Sequence, residues 1–254
     1  MRLPRRLGLG QEVSTVEHLE ELRSRLVVAG GAILAGTIAG YLLHHQILRL
    51  LVDALPPGHR RLVTLTVTEP FTTSLKLSIA AGFAIASPVV LWQLWAFLAP
   101  AIDPQARRAI APLAGAATAL LVVGVVFGDR VALPAALRFL TDYDNSVYDV
   151  QVRAGTYISF AVLVLAACAA VFELPIAVLG LVRIGALSSA TLRSNRRRGY
   201  FIVACIGVAL PGIDPVTTII ETIPLLVLFE ASIWVSVVCE RRWRRLPLSA
   251  AASL

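Results

Sequence analysis

Apolar residues fall in six runs, at 26–43, 77–98, 109–127, 155–179, 199–210 and 216–238, separated by shorter polar stretches. Crossing a hydrocarbon core takes about 20 helical residues, because each adds about 1.5 Å across about 30 Å. The runs therefore predict six transmembrane helices. The fifth is the exception: its twelve residues give roughly 18 Å, well short of a full span. It stops at Pro211-Gly212, and Asp214-Pro215 opens the sixth with an acidic cap and a proline in the first turn. The last two spans thus form a tight pair with almost no loop. The pattern predicts an all-α integral membrane protein with one domain over residues 1–254. It comprises an N-terminal helix (1–25), six spans (26–238) and a basic tail (239–254).

The N-terminal segment carries its own periodicity. Ser14-Thr15-Val16-Glu17 fits a capping box, which starts a helix at Ser14. Val13, Val16, Leu19, Leu22 and Leu26 then recur every three or four residues, the pattern of an amphipathic helix lying at the membrane interface before span one. Glu17, Glu20 and Glu21 cluster on its polar face. Two readings stay open for them. They form either a solvated face paired with Arg23 and Arg25, or a seat for a cationic peptide held by charge-assisted bonds.

Composition and charge sharpen the class. Of 254 residues, 57% are hydrophobic and 15% charged, yet the net charge is +7. This excludes a disordered chain and argues against a soluble enzyme, where roughly 25% of residues are charged. Counted by segment, sixteen Lys and Arg lie with the termini and the loops after spans two and four, against six on the opposite side. By the positive-inside rule both termini are cytoplasmic, in the plasma membrane. The loop 128–154 on the outer side carries Asp129, Asp142, Asp144 and Asp149. The basic surplus therefore needs anionic lipid and no nucleic acid. No cleavable signal peptide is visible, so span one reads as an uncleaved anchor. Cys168, Cys205 and Cys239 have no metal or redox spacing with one another or with the four histidines, and no metal or cofactor is expected. Enzyme motifs such as G-x-S-x-G and H-E-x-x-H are absent from the sequence.

Three carboxylates break the apolar runs: Glu173 late in span four, and Glu221 and Glu230 in span six. A carboxylate at mid-membrane costs at least about 2.5 kcal/mol on insertion scales and so faces a cavity, a partner or water. For Glu173 the readings are a polar partner within the bilayer, or a protonated or internally paired structural acid. Glu230 lies close enough to the cytoplasmic end to reach headgroups or Arg241, and Glu221 lies toward the outer surface. Pro88, Pro175 and Pro224 sit inside spans, free helix carbonyls and bend them, which suggests a curved array with a hollow face.

Five segments in order resemble the TatC family, the multi-spanning subunit of the twin-arginine protein translocase. They are His18-Leu-Glu-Glu-Leu-Arg-Ser-Arg25, Glu69-Pro-Phe-Thr-Thr-Ser-Leu-Lys76, the stretch from Ser87-Pro88 to Pro100, Phe172-Glu-Leu-Pro175, and Pro211-Gly-Ile-Asp-Pro215 running on to Pro224 and Leu228-Phe-Glu230. The match spans about residues 15–240. The resemblance implies a cupped arrangement of six spans, short in the last two. It also implies a receptor for twin-arginine signal peptides of folded cargo, driven by the proton-motive force. The partners it implies are TatA- and TatB-like single-span subunits and further copies of the chain within the complex.

Residue by residue, the resemblance makes Glu21 the signal-binding glutamate and Arg23 the arginine of the same pattern; Glu17, from the acidic face, or Asp103 joins Glu21 in holding the peptide in this reading. Glu173 becomes the span-four glutamate implicated in TatA contact, and Asp214 the acid between the last two spans. Pro88 and Pro100 match the prolines in and after span two. Two positions depart from the family. Its second signal-binding glutamate, before Arg-Arg, is Ala106 here, and the nearest acid is Asp103. A glutamine common early in the last span is Thr218. The rival readings are a divergent TatC-like subunit with weakened signal recognition, and a small-solute or proton transporter using Glu173.

Overall fold

The computed structural model describes residues 15–98, 110–148, 150–183, 187–209 and 215–245. It is helical throughout: α1 (Thr15–Asp53), α2 (Glu69–Leu98), α3 (Ile110–Phe127), α4 (Leu133–Asp142), α5 (Ala154–Phe172), α6 (Leu174–Arg183), α7 (Ser189–Ser194), α8 (Arg196–Ala209) and α9 (Pro215–Arg245). The only strand-like pairing among the described residues is an isolated bridge between Val63 and Arg153.

Five helical stretches are long and apolar enough to cross a membrane, and α8 supplies the short sixth element predicted from its run of apolar residues. The apolar surface points outward. Only 11% of the most apolar part of the first stretch is buried within the protein, and 39% of that of the fourth. Side chains such as Leu42, 78% exposed, then need lipid to cover them.

Four boundaries differ from the sequence expectation. The amphipathic N-terminal segment does not lie as a separate interface helix. It continues into span one as a single 39-residue helix, about 58 Å long, because no proline or glycine cap interrupts it. The segment expected as a loop from residue 128 is helical to Asp142: a π-helical turn at Gly128–Ala132 joins α3 to α4. Span four is divided at Glu173, where α5 ends and α6 begins. Pro175 causes this break, since it has no N–H to return to the carbonyl of Val171. The last helix runs 31 residues, carrying Glu240 and the first tail arginines as helix beyond residue 238.

The other internal prolines behave differently. Helix α2 is continuous through Pro88, and α9 through Pro224. Pro88 leaves the carbonyl of Ala84 without its helical donor, and the Ser87 hydroxyl donates to that oxygen at 2.7 Å. Pro100 lies outside the described residues.

Small residues set the closest helix contact. A Cβ at Gly36 would lie 2.6 Å from the carbonyl oxygen of Gly82, and one at Gly40 would lie 2.7 Å from that of Ser78. Backbones of α1 and α2 approach this closely because Gly36 and Gly40 of α1 carry no side chain at the contact. From α2 the array continues to α3 and α5, then from α6 to α9, which carries α8. Among the described residues α1 packs chiefly on α2, and α8 chiefly on α9, so the row of helices stays open, as a cupped array requires.

At the end of the bundle away from the N-terminus, two loops are tied together. Val63 N–H donates to the Val152 carbonyl, and Ala154 N–H to that of Val63, both at 2.9 Å. Glu69, 4% exposed, anchors the junction. Its carboxylate accepts from Arg153 Nε, the Gly155 N–H and the Leu65 N–H, each at 2.9 Å. The Tyr157 hydroxyl adds a bond to the Leu51 carbonyl, tying α5 to the end of α1.

Candidate functional site

Glu21 lies two turns into α1, on the face toward α2, with its side chain 22% exposed. Arg25, one turn later, donates from Nε at 3.1 Å and from Nη2 at 2.5 Å to the same oxygen, Oε1. Glutamate preceding a cation by four residues is the favourable order on a helix. The remaining Arg25 nitrogen, Nη1, donates to Gln93 Oε1 of α2 at 3.3 Å. One guanidinium thus bridges the two helices near the N-terminal end of α1. Arg23 is exposed and makes no ion pair among the described residues. Of the two arginines that could pair the acidic face, only Arg25 does. Glu17 lies in the first turn of α1 and its side chain is outside the described residues, as are Asp103 and Ala106.

Glu173 occupies the junction between α5 and α6. Its carbonyl accepts from Ile176 N–H at 3.1 Å and Ala177 N–H at 2.9 Å, so its backbone starts the second helix. Its side-chain Oε1 is buried and has no hydrogen-bond partner. A buried carboxylate oxygen left so is costly, which is why nearly all such atoms find donors. Pro175 and Ile176 beside it are buried.

The two carboxylates of α9 have other settings. Glu230 is fully engaged within the chain. Its Oε1 accepts from Arg196 Nη2 and Trp234 Nε1, both at 3.0 Å, and its Oε2 from the Tyr200 hydroxyl at 2.5 Å. The Arg196 guanidinium also lies over the Trp234 ring, 5.6 Å from its centre. Arg196 reaches Glu230 because α8 packs along α9 and brings its first turn alongside; the side chain of Arg241, the partner expected from the sequence, lies outside the described residues. Glu221, placed toward the outer surface by its position in the sequence, is 3% exposed and packs beside a small cavity lined with Phe127, Cys168, Phe172 and Pro224. Thr218, one turn earlier, is half-buried, and its carbonyl accepts from the Thr222 hydroxyl at 2.6 Å. Asp214 lies outside the described residues.

The sequence therefore singled out Glu21, Glu173 and Glu230 but not Gln93, Arg196, Tyr200 or Arg153. The first of these missed residues is 68 positions from Arg25 along the chain. An uncharged side chain in an apolar run gave no signal of its own; only the helix pairing brings it into reach.

Residues 17–224 match the family model described as Sec-independent protein translocase protein (TatC). The chain belongs to the TatC family. The TatC of Carboxydothermus hydrogenoformans is 35% identical over 221 residues, 87% of this chain and 91% of that protein. The TatC of Aquifex aeolicus is 33% identical over 89% of this chain and 95% of its own length. A crystal structure of the twin-arginine translocase receptor TatC in DDM superposes with a TM-score of 0.76 at 33% identity. It is matched over 87% of this chain and 99% of that one. TatC membership makes this chain a multi-pass membrane component of a protein translocase that works in a complex with other Tat subunits, and not an enzyme.

Proposed function

We propose that this TatC-family chain is the twin-arginine signal-peptide receptor and core of a translocase that exports folded proteins across the cytoplasmic membrane, using the proton-motive force. The observation that carries the reading is Glu21: a partly buried carboxylate at the α1–α2 contact whose Oε1 accepts a guanidinium through two N–H groups. A carboxylate that binds one arginine side chain has the chemistry to bind another in its place. Arg23, and Glu17 and Asp103 by their positions in the sequence, complete the proposed seat. The match to structures titled as the twin-arginine translocase receptor supports it.

Both termini face the cytoplasm in this reading, supported by the excess of Lys and Arg on that side. The Glu69–Arg153 junction then lies on the outer face. The whole chain serves as one membrane domain. Glu173, whose buried Oε1 has no donor within the chain, receives a polar group from the single helix of a TatA- or TatB-like subunit. Asp214 and Thr218 extend that contact toward the outer side. Glu230 is excluded from it, since Arg196, Tyr200 and Trp234 already occupy both of its oxygens.

The test is twin-arginine peptide binding to the purified protein in nanodiscs. Replacing Glu21 by Ala is expected to reduce affinity at least tenfold, the loss of one charge-assisted bond of about 1.5–3 kcal/mol. Unchanged affinity in Glu21→Ala would remove Glu21 from the site.

A further inference from the structure

Arg25 is more than a neighbour of Glu21. It fills the acceptor oxygen with two donors and is itself held from α2 by Gln93. Both charged side chains are 22% exposed, so water competes with the pair less than on an open surface. Glu21 therefore presents a carboxylate whose best-placed oxygen is already in use.

We infer that Arg25 is an internal competitor for the peptide guanidinium: it occupies Glu21 in the empty receptor, Gln93 pins it there, and an incoming signal peptide binds by displacing it. This rests on Glu21 being the peptide-binding carboxylate. The consequence follows from the arithmetic of a site that is only partly available. Apparent affinity falls by the fraction of molecules in which Glu21 is open. A part-exposed pair of this kind is worth about 0.3–1 kcal/mol, so the closed form outnumbers the open one by about two to five and affinity falls by about three- to sixfold. The open fraction does not depend on which ligand arrives. Every ligand of Glu21 is weakened by the same factor, and the ratio between a twin-arginine and a twin-lysine peptide is set elsewhere. Arg25 thus acts as a threshold: weak ligands fall below useful occupancy while strong ones stay above it.

This explains why the internal cation is an arginine. A lysine ammonium at position 25 could reach Glu21 as a point charge but lacks the planar fork that bonds Glu21 and Gln93 together. Gln93 has the matching chemistry, a carbonyl oxygen that accepts from a cation and adds no charge of its own.

Four variants in nanodiscs, each measured with a twin-arginine and a twin-lysine peptide, test the inference. Arg25→Gln is expected to tighten both peptides by the same three- to sixfold factor. Arg25→Lys keeps the positive charge but loosens the internal pair, and is expected to tighten both by a smaller common factor. Gln93→Leu keeps Arg25 and Glu21 and releases the pin, and is expected to act in the same direction. Tightening is the informative sign, since damage to the fold weakens binding. If Arg25→Gln tightens binding while Arg25→Lys and Gln93→Leu match the parent, Arg25 acts only by charge repulsion and the inference is overturned. Equal or weaker affinity in all three also overturns it, and so does tightening that differs between the two peptides. Should Arg25→Gln fail to fold, Arg25→Lys and Gln93→Leu decide the question alone. Glu21→Gln separates the two layers. If it leaves peptide binding intact, the receptor assignment of Glu21 fails; if it abolishes binding while the other variants change nothing, only the competitor role fails.

Discussion

Glu21, Glu173 and Glu230 are the same residue type in one apolar chain, and their surroundings give them three different capacities. Glu21 shares its oxygen with one cation that can leave. Glu173 has a buried oxygen with no donor. Glu230 is saturated by an arginine, a tyrosine and a tryptophan. The rarity of carboxylates in the apolar runs flagged the last two, and the i, i+3, i+4 spacing flagged the first. Local spacing offered Arg25 to Glu21 and Trp234 to Glu230, but Gln93, Arg196 and Tyr200 come from other helices, so no sequence rule ranked the three acids. Ala106 marks the residue-scale question left by the family pattern, which has a second signal-binding glutamate there. If it sits beside Glu21 as that pattern implies, Ala106→Glu restores a second acceptor. Its expected effect is at least a tenfold gain in twin-arginine affinity, read by peptide titration, from an added charged bond of about 1.5–3 kcal/mol. An unchanged affinity would place position 106 away from the bound arginines.

Among the helices, α1 and α2 matter most for the proposed seat, because the bridge from Glu21 through Arg25 to Gln93 crosses their interface. Their approach is set by small residues. A Cβ at Gly82 would come within 2.6 Å of the backbone nitrogen of Thr37, whereas nothing lies within 4 Å of one at Gly31. Gly82→Ala is therefore expected to push the helices apart, at about 1–3 kcal/mol for overpacking. Gly31→Ala, on the same helix as Thr37, is expected to be neutral or slightly stabilising, since alanine is the better helix former. Thermal unfolding of the two variants in detergent checks the contrast, and equal melting temperatures would refute it. The prolines show how far an element can be read locally. All three free a helix carbonyl, and of the three only Pro175 coincides with a division of its span into two helices. Pro88 has a serine just before it to satisfy the freed carbonyl. A proline removes a bond by covalent chemistry; whether a helix divides there depends on what replaces that bond.

At the scale of the whole molecule, two ties hold the array: the α1–α2 contact along the helices and the Glu69 junction at the end away from the N-terminus. Glu69 gathers Leu65 and Arg153 from the two loops that bracket α2–α4, and Gly155 from the first turn of α5. Glu69→Gln keeps the shape and removes the charge, leaving an amide that matches these donors less well. The expected outcome is faster proteolysis in 54–68 and 143–153 with helix content unchanged, measured by limited digestion beside circular dichroism. Digestion at the parent rate would show that the loops stand without the ion pair. The sequence by itself determined the class, the number and order of the spans, the short fifth element and the family, because bilayer thickness and helical rise turn apolar run length directly into topology. It also named the acidic positions worth watching, since an ionised group in an apolar run has to be explained. Only the tertiary structure decided their partners. Arg25 reaches Gln93, Glu230 reaches Arg196, and Glu69 reaches Arg153 across 68, 34 and 84 positions of chain. Those meetings depend on which helix faces meet and how closely their backbones approach, and run length and local spacing carry neither.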